Sequence, residues 1–318
     1  MPQILSIGEV MVELSPAGTH NNKRLMALGF AGDTYNTAIY LARLGIQVGY
    51  CTRLGDDPYS LDAIATMTAE GLETQGVETV AGRTPGLYLI ANHANGERTF
   101  TFWRSHSPAR ELFATALSRE KLTHLLQHTT QVYFSGITLA ILSESARADF
   151  FIILNEFRSR GGRVVFDNNY RQALWPEQNS AQIAMQQALE CADCALLTDD
   201  DYARLWGSAE FSQVLARCTA AGVQEVVLKR GPNSVCVAWA GEQGLFNSEE
   251  VAVPVVANVL DTTAAGDSFN AGYLYARIKG QTPLHAAQFG SRCASIVIQH
   301  RGAIVEREVF LTELNLSQ

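Results

Sequence analysis

Short apolar runs bounded by turn residues alternate along most of this chain with longer amphipathic stretches, and that alternation restricts the fold more than any other feature. Ile4 to Gly8, Val48 to Leu54, Val132 to Gly136, Arg163 to Asp167, Ala195 to Leu197 and Glu225 to Lys229 read as buried strands. Helices are expected from Asp33, with Ala38, Ile39, Leu41, Ala42 and Leu44 on the apolar side and Gly45 closing it. Further helices are expected from Asp57 to Ala69, from Ser143 to Arg160, around 180–190, near 200 and over 210–221. Strand–helix–strand order makes neighbouring strands parallel and puts helices on both faces of the sheet. The predicted class is therefore α/β, a three-layer α/β/α core around a mostly parallel sheet, with ligands expected beyond the carboxyl ends of the strands. The 318 residues, 47% hydrophobic and 18% charged, suit a sizeable buried core. No repeat, linker or low-complexity run divides them, so residues 1–318 are read as a single domain.

One segment breaks the alternation. Gly86 to Ala91 and Arg98 to Arg104 flank Ala94-Asn95-Gly96 and read as a β-hairpin with an Asn-Gly turn. A two-residue turn would set Tyr88 opposite Trp103; a three-residue loop with Gly96 left-handed sets Tyr88 opposite Phe102. The second register is preferred, because Tyr88, Phe102 and Arg104 then share one face, aromatic with a single cation, fit to cover a polar anionic ligand. Packing or dimerisation is the other use for such a face. Glu9 to Leu14 alternates as a half-exposed strand, residues 15 to 24 are polar and turn-rich, and Leu25 to Phe30 is apolar again. A small β lid is predicted from about 9–30 and 84–104.

The net charge of −8 excludes a general nucleic-acid binder, which needs a basic face. No run of 18 apolar residues is present, so no membrane helix is expected. No basic segment precedes an apolar one at the start, and the chain is expected to be cytoplasmic. The six cysteines are scattered, and the lone Cys191-x-x-Cys194 lacks the further ligands of a zinc site. Buried thiols in a reducing compartment are expected.

The chemistry concentrates in Asp261-Thr262-Thr263-Ala264-Ala265-Gly266-Asp267-Ser268-Phe269-Asn270-Ala271-Gly272. Its first half is small and turn-prone; from Ala265 an apolar helical stripe runs through Phe269, Tyr273, Leu274 and Ile278. A tight turn opening into a helix leaves the N–H groups of Ala264, Ala265, Gly266 and Asp267 without intrahelical acceptors, at the positive end of the helix dipole. Small side chains let a phosphate reach them. Asp267 would repel that phosphate unless it had another task, such as taking the proton of an attacking hydroxyl. Complementing the dipole is the simpler role. Gly32, Asp33 and Asn36 open the first helix; Asp33 and Asn36 lie one turn apart and could meet the same hydroxyls, or Asp33 could only cap the helix. Arg171, after the strand end Phe166-Asp167, could hold a carboxylate through two parallel hydrogen bonds or simply face solvent.

Asp-Thr-Thr-Ala-Ala-Gly-Asp-Ser-Phe resembles the C-terminal motif of the ribokinase-like (PfkB-type) carbohydrate kinases, which usually carry Gly where this chain has Ala264. Gly29 to Asn36, with Gly45, Gly49 and Gly55, is similar to the family's N-terminal motif, Ala31 replacing its first Gly. Asn169-Tyr170-Arg171, Leu174-Trp175, Gly86-Leu87-Tyr88, Gly96 to Phe100 and Trp103-Arg104 resemble the branch acting on 2-keto-3-deoxygluconate. The resemblance implies a ribokinase-like fold with a lid, and ATP-dependent phosphorylation of that sugar acid to its 6-phosphate in the Entner–Doudoroff and pectin routes. It implies Asp267 as base within an anion hole at 264–267, and Gly32, Asp33, Asn36, Tyr88, Phe102, Arg104 and Arg171 around the sugar. Lys229 and Gly231 match the segment beside the ATP phosphates; Asn258 and Ser295 match the adenine-pocket walls. Thr198 and Asp201 stand where the family has Asn-x-x-Glu near Mg²⁺, which makes Asp201 a metal candidate or a helix cap. A monovalent-cation requirement stays open. A fructokinase or ribokinase is the nearest alternative, and a non-catalytic sugar-acid sensor the remote one. A homodimer through the lid strands is expected.

Overall fold

The computed structural model describes residues 2–92, 98–241 and 245–316. Its strands are β1 (Ile4–Ile7), β2 (Met11–His20), β3 (Lys23–Ala31), β4 (Val48–Gly55), β5 (Glu73–Val80), β6 (Gly86–Asn92), β7 (Arg98–Trp103), β8 (Gln131–Ser135), β9 (Arg163–Asp167), β10 (Cys194–Thr198), β11 (Glu225–Lys229), β12 (Ser234–Ala240) and β13 (Phe246–Ala252). Nine of them form one sheet in the order β13-β12-β11-β10-β9-β8-β1-β4-β5. It is parallel from β5 to β11 and antiparallel only at β12 and β13. Val164-Val165-Phe166 and Val226-Val227-Leu228 lack polar alternation because both faces of the sheet are covered. Val164, Phe166, Leu197 and Leu228 join a core with the helices Glu144–Ser159 and Gln178–Cys191. Val165, Leu196 and Val227 point the other way and join a core with Asp33–Arg43, Ala265–Ile278 and Pro283–Val297. This is the predicted three-layer arrangement.

Several helix starts lie one residue inside the expected ones because the expected first residue is the cap. Asp57 accepts from Tyr59 and Ser60 ahead of Pro58–Ala69, and Ser143 accepts from Ala146 ahead of Glu144–Ser159. A larger departure lies at 15–24. These residues are strand, not loop: β2 and β3 pair as far as His20↔Lys23, across a turn whose Asn21 and Asn22 have φ of 48° and 59°. Asn tolerates the left-handed region that such two-residue turns require. The stretch looked like loop because it is exposed on both faces and has no apolar side to reveal its period.

The remaining four strands form a second sheet, β3-β2-β6-β7. Tyr88 pairs with Phe102 and Leu87 with Trp103, the preferred register; the Asn95-Gly96 turn lies outside the described residues. One face carries Tyr88 and Phe102. The other carries the rows Leu28, Leu14, Leu89 and Phe30, Val12, Leu87, Trp103. Among the described residues, all six cysteines are free and buried, and no helix is long and apolar enough to cross a membrane.

Candidate active site

The Asp261–Gly272 stretch folds as a turn that opens directly into the helix Ala265–Ile278. Asp261 holds the turn, accepting from Thr263 N–H at 2.9 Å and from Gly302 N–H at 2.6 Å. Ala264, the residue before the helix, is left-handed with φ 60°, which explains why glycine is the usual occupant of such a position. Ala265 N–H is taken up by the Thr262 carbonyl at 3.2 Å, so the expected anion hole is narrower than four N–H groups. Gly266 and Asp267 follow in the first turn, where N–H groups lack helical acceptors. A Cβ built on Gly266 would meet nothing closer than Lys229 Nζ at 3.8 Å, so its missing side chain leaves room for a ligand.

Asp267 sits at the floor of a cavity of about 790 Å³. Its Oδ2 accepts from Asn36 Nδ2 at 2.8 Å. Asn36 Oδ1 accepts from Gly32 N–H at 3.3 Å, so the amide expected at a sugar hydroxyl also holds the Asp267 carboxylate. Burial, chiefly, with Asp33 and Asp167 adding, pushes the Asp267 carboxyl up to about 8 against the opposing Asn36 hydrogen bond and Lys229 charge. Asp33 Oδ2 accepts from Asn169 Nδ2 at 2.7 Å. Its carboxyl is also raised, first by burial, with hydrogen bonds from Ser135 and Thr34 opposing. A Cβ on Gly32 would stand 2.1 Å from the Glu9 carbonyl oxygen, so glycine is demanded there by backbone crowding rather than by a ligand.

Of the predicted residues, Gly32, Asp33, Asn36, Tyr88, Phe102, Arg171, Asp201, Lys229, Ala264, Ala265, Gly266 and Asp267 line this one cavity. Tyr88 packs 5.5 Å from the Phe102 ring and 6.2 Å from Phe100, and its hydroxyl donates to Glu13. Arg171 Nη1 donates to both oxygens of Asp201, at 3.1 and 3.0 Å. Burial raises the Asp201 carboxyl while Arg171 opposes it. Four predicted residues are not in the wall. Arg104 is buried and ion-paired with Glu9; Gly231 and Asn258 are exposed; Ser295 donates to the Arg292 carbonyl. The expectation for Arg104 rested on strand parity and on the resemblance of Trp103-Arg104, and neither reveals the buried acid Glu9 beside it.

Sequence reasoning gave no role to Asp167, Asn169, Asn270 or Tyr133, which knit the floor together. Asp167 Oδ2 accepts from Asn270 Nδ2 at 2.8 Å and from Tyr133 at 3.3 Å. Asn270 Oδ1 accepts from Lys229 Nζ at 2.9 Å. The available signals were Asp167 ending a strand and Asn270 lying one turn beyond Asp267.

The chain matches the pfkB family carbohydrate kinases over residues 1–308. It is 43% identical over 310 residues to a 2-dehydro-3-deoxygluconokinase of Escherichia coli K12, covering 96% of this chain and 98% of that one. It is 41% identical over 309 residues to a protein of the same name from Dickeya dadantii, covering 96% and 97%. The crystal structure of a PfkB protein from Polaromonas sp. JS666 superposes with a TM-score of 0.82 over 97% of this chain and 99% of that one, at 24% identity. The nine-stranded core, the helix that opens at Ala265 and the match over nearly its full length make this chain a member of the pfkB family of carbohydrate kinases.

Proposed function

We propose that this chain transfers the γ-phosphoryl group of ATP to the terminal hydroxyl of 2-dehydro-3-deoxygluconate (2-keto-3-deoxygluconate), giving the 6-phosphate and ADP. The observation that carries this reading is the Asp267 carboxyl, raised to about 8 and seated in the first turn of the helix whose N–H groups face the cavity. The identity to proteins named for this reaction, over nearly the whole chain, supports the substrate.

In the transfer, the substrate oxygen bonds to the γ-phosphorus, the bond from that phosphorus to the bridging oxygen breaks, and ADP keeps the electron pair. The hydroxyl proton passes to an Asp267 oxygen. The N–H groups of Gly266 and Asp267, with Ala264 beside them, meet the charge gathering on the equatorial oxygens. The residues fit Mg²⁺ only in the sparse manner usual for nucleotide sites. Among the described residues no group of three metal-ligating side chains exists, and Asp201 is engaged by Arg171. Mg²⁺ would be held by phosphates and water, with Asp201 as the side chain that would hold one of those waters, and would screen phosphate charge when bound. Arg171 faces a carboxylate already, Asp201, so a sugar acid would exchange one anionic partner for another, while Arg104, paired with Glu9 outside the wall, acts on the sugar through Phe102, whose ring centre lies 5.9 Å from its guanidinium. Tyr88 and Phe102 cover the sugar as the second sheet closes and excludes water. Gly231, Asn258 and Ser295 border the nucleotide outside the cavity. The single domain works in the cytoplasm, a reading supported by its free, buried thiols. It pairs with a second copy through the outer face of the lid, where Leu28 is 48% and Trp103 56% exposed.

A coupled ADP-release assay with Mg·ATP against the sugar acid, fructose and ribose in parallel tests this. Preference for the sugar acid is expected, with Asp267→Asn lowering kcat by about 10² to 10⁴-fold. Preference for a neutral sugar, or a near-normal kcat for the variant, would overturn the substrate or the base respectively.

A further inference from the structure

Lys229 ends β11, and its amine emerges at the carboxyl edge of the sheet, almost wholly buried. It donates to Asn270 Oδ1 at 2.9 Å and lies 3.7 Å from Asp167 Oδ1 and 5.9 Å from the centre of the Phe269 ring. Asn270 is one turn beyond Asp267 on the same helix, and its Nδ2 donates to Asp167 Oδ2 at 2.8 Å and to Tyr133 Oη at 3.0 Å. This pattern fixes the amide: an ammonium only donates and a carboxylate only accepts, so Asn270 cannot be turned over without losing both. The tether is therefore directional. An ammonium has three N–H groups; Asn270 takes one and Asp167 draws a second, and Gly266 at the helix start lies close enough that its absent Cβ would stand 3.8 Å from the amine.

The charges explain why an aimed cation belongs here. Asp33, Asp167 and Asp267 line this end of the cavity, and Lys229 is the cation among them; Arg171 lines the same cavity but is paired with Asp201. The phenols of Tyr40, Tyr88 and Tyr133 lie within electrostatic range of Asp267, with their hydroxyls hydrogen-bonded to Ala303 and Val305, to Glu13 and to Asp167 respectively. A triphosphate approaching this acidic floor would be repelled by an undirected arrangement.

We infer that Lys229 is a catalytic cation held by Asn270 and Asp167 against Gly266, where it meets the transferring phosphoryl group, and that Asn270 and Asp167 are positioning residues acting through it. The inference rests on the phosphoryl group docking at 264–267 as proposed above. It also gives Lys229 a second effect, since its charge opposes the upward push on the Asp267 carboxyl and Asp167 adds to that push. Removing the two charges should therefore move the acid limb of the rate profile in opposite directions, while a fall in kcat at constant sugar KM, partly restored by an added ammonium, is what a purely structural ion pair would not give.

The test is to measure kcat, both KM values and the pH dependence of kcat/KM for Lys229→Met, Asp167→Asn and Asn270→Ala, with Asp267→Asn alongside. Lys229→Met is expected to lower kcat about 10² to 10³-fold, as loss of one preorganised charge-stabilising group does, with the sugar KM little changed. Its acid limb should move to higher pH and that of Asp167→Asn to lower pH. Asn270→Ala should lower kcat less, and adding propylammonium to Lys229→Ala should restore part of the rate. A folded Lys229→Met with wild-type kcat and limb, or a loss confined to the ATP KM, would overturn the inference. Should Lys229→Met not fold, Asn270→Ala decides: unchanged kcat overturns it and reduced kcat at constant sugar KM supports it. A near-normal Asp267→Asn would instead overturn the base and leave the Lys229 result readable.

Discussion

Asp267 is the residue at which activity and stability pull against each other. In the folded chain its carboxyl keeps the proton to about pH 8, against 3.8 for an ordinary aspartate. A value raised by folding stabilises the protein fully below the ordinary value, and that contribution is lost as pH rises through about 8. The ionised form is nevertheless the one that the proposed proton transfer requires. Asparagine has no proton to lose, so Asp267→Asn should melt progressively higher than the wild type as pH is raised from about 5 to 9. Over the same range the wild-type kcat/KM should climb while that of the slower variant shows no such limb. Calorimetry at several pH values checks this, and a difference in melting temperature independent of pH would refute it. The position of Asp267 was legible from small residues followed by a helical stripe. Its environment was not, because Asn36, Asp33 and Asp167 reach it from distant parts of the chain.

At the scale of elements, the junction between the two sheets depends on Glu9, between β1 and β2, and Arg104, just after β7. Their side chains are 1% and 9% exposed. Removing one partner of such a buried pair leaves the other charge without compensation, and costs about 3–5 kcal/mol. Arg104→Ala should lose stability on that scale and also raise the sugar-acid KM. The double variant Glu9→Leu/Arg104→Met should regain most of the stability, as apolar replacement of a buried pair often does, yet keep the raised KM. Urea unfolding together with steady-state kinetics separates the two effects; recovery of KM in the double variant would mean that Arg104 acts only through packing. The turn signal left two hairpin registers open, and the observed pairing of Tyr88 with Phe102 is the one chosen because it gathers the aromatic side chains on one face. The hairpin built from β2 and β3 could not be read in full, since its tip is solvated on both faces and only Asn21 and Asn22 mark the reversal.

For the whole molecule, β–α alternation predicts the parallel sheet well, because each crossover leaves an apolar run and a capped helix behind it. The antiparallel margin is harder to read: β13 carries Glu249 and Glu250 in an exposed strand, a pattern close to that of a loop. The apolar rows on the outer face of the lid predict assembly. Light scattering should give twice the chain mass for the wild type and the chain mass for Leu28→Lys/Trp103→Lys; an unchanged mass would exclude that face as the contact. The order in which the site is put together has one more consequence. Asn36 and Asp267 are hydrogen-bonded across 231 residues of sequence. During translation Asn36 leaves the ribosome early, and the turn at 261–264 and Asp267, the proposed base, leave near the end. The two halves of the candidate site therefore cannot be joined until synthesis is nearly finished.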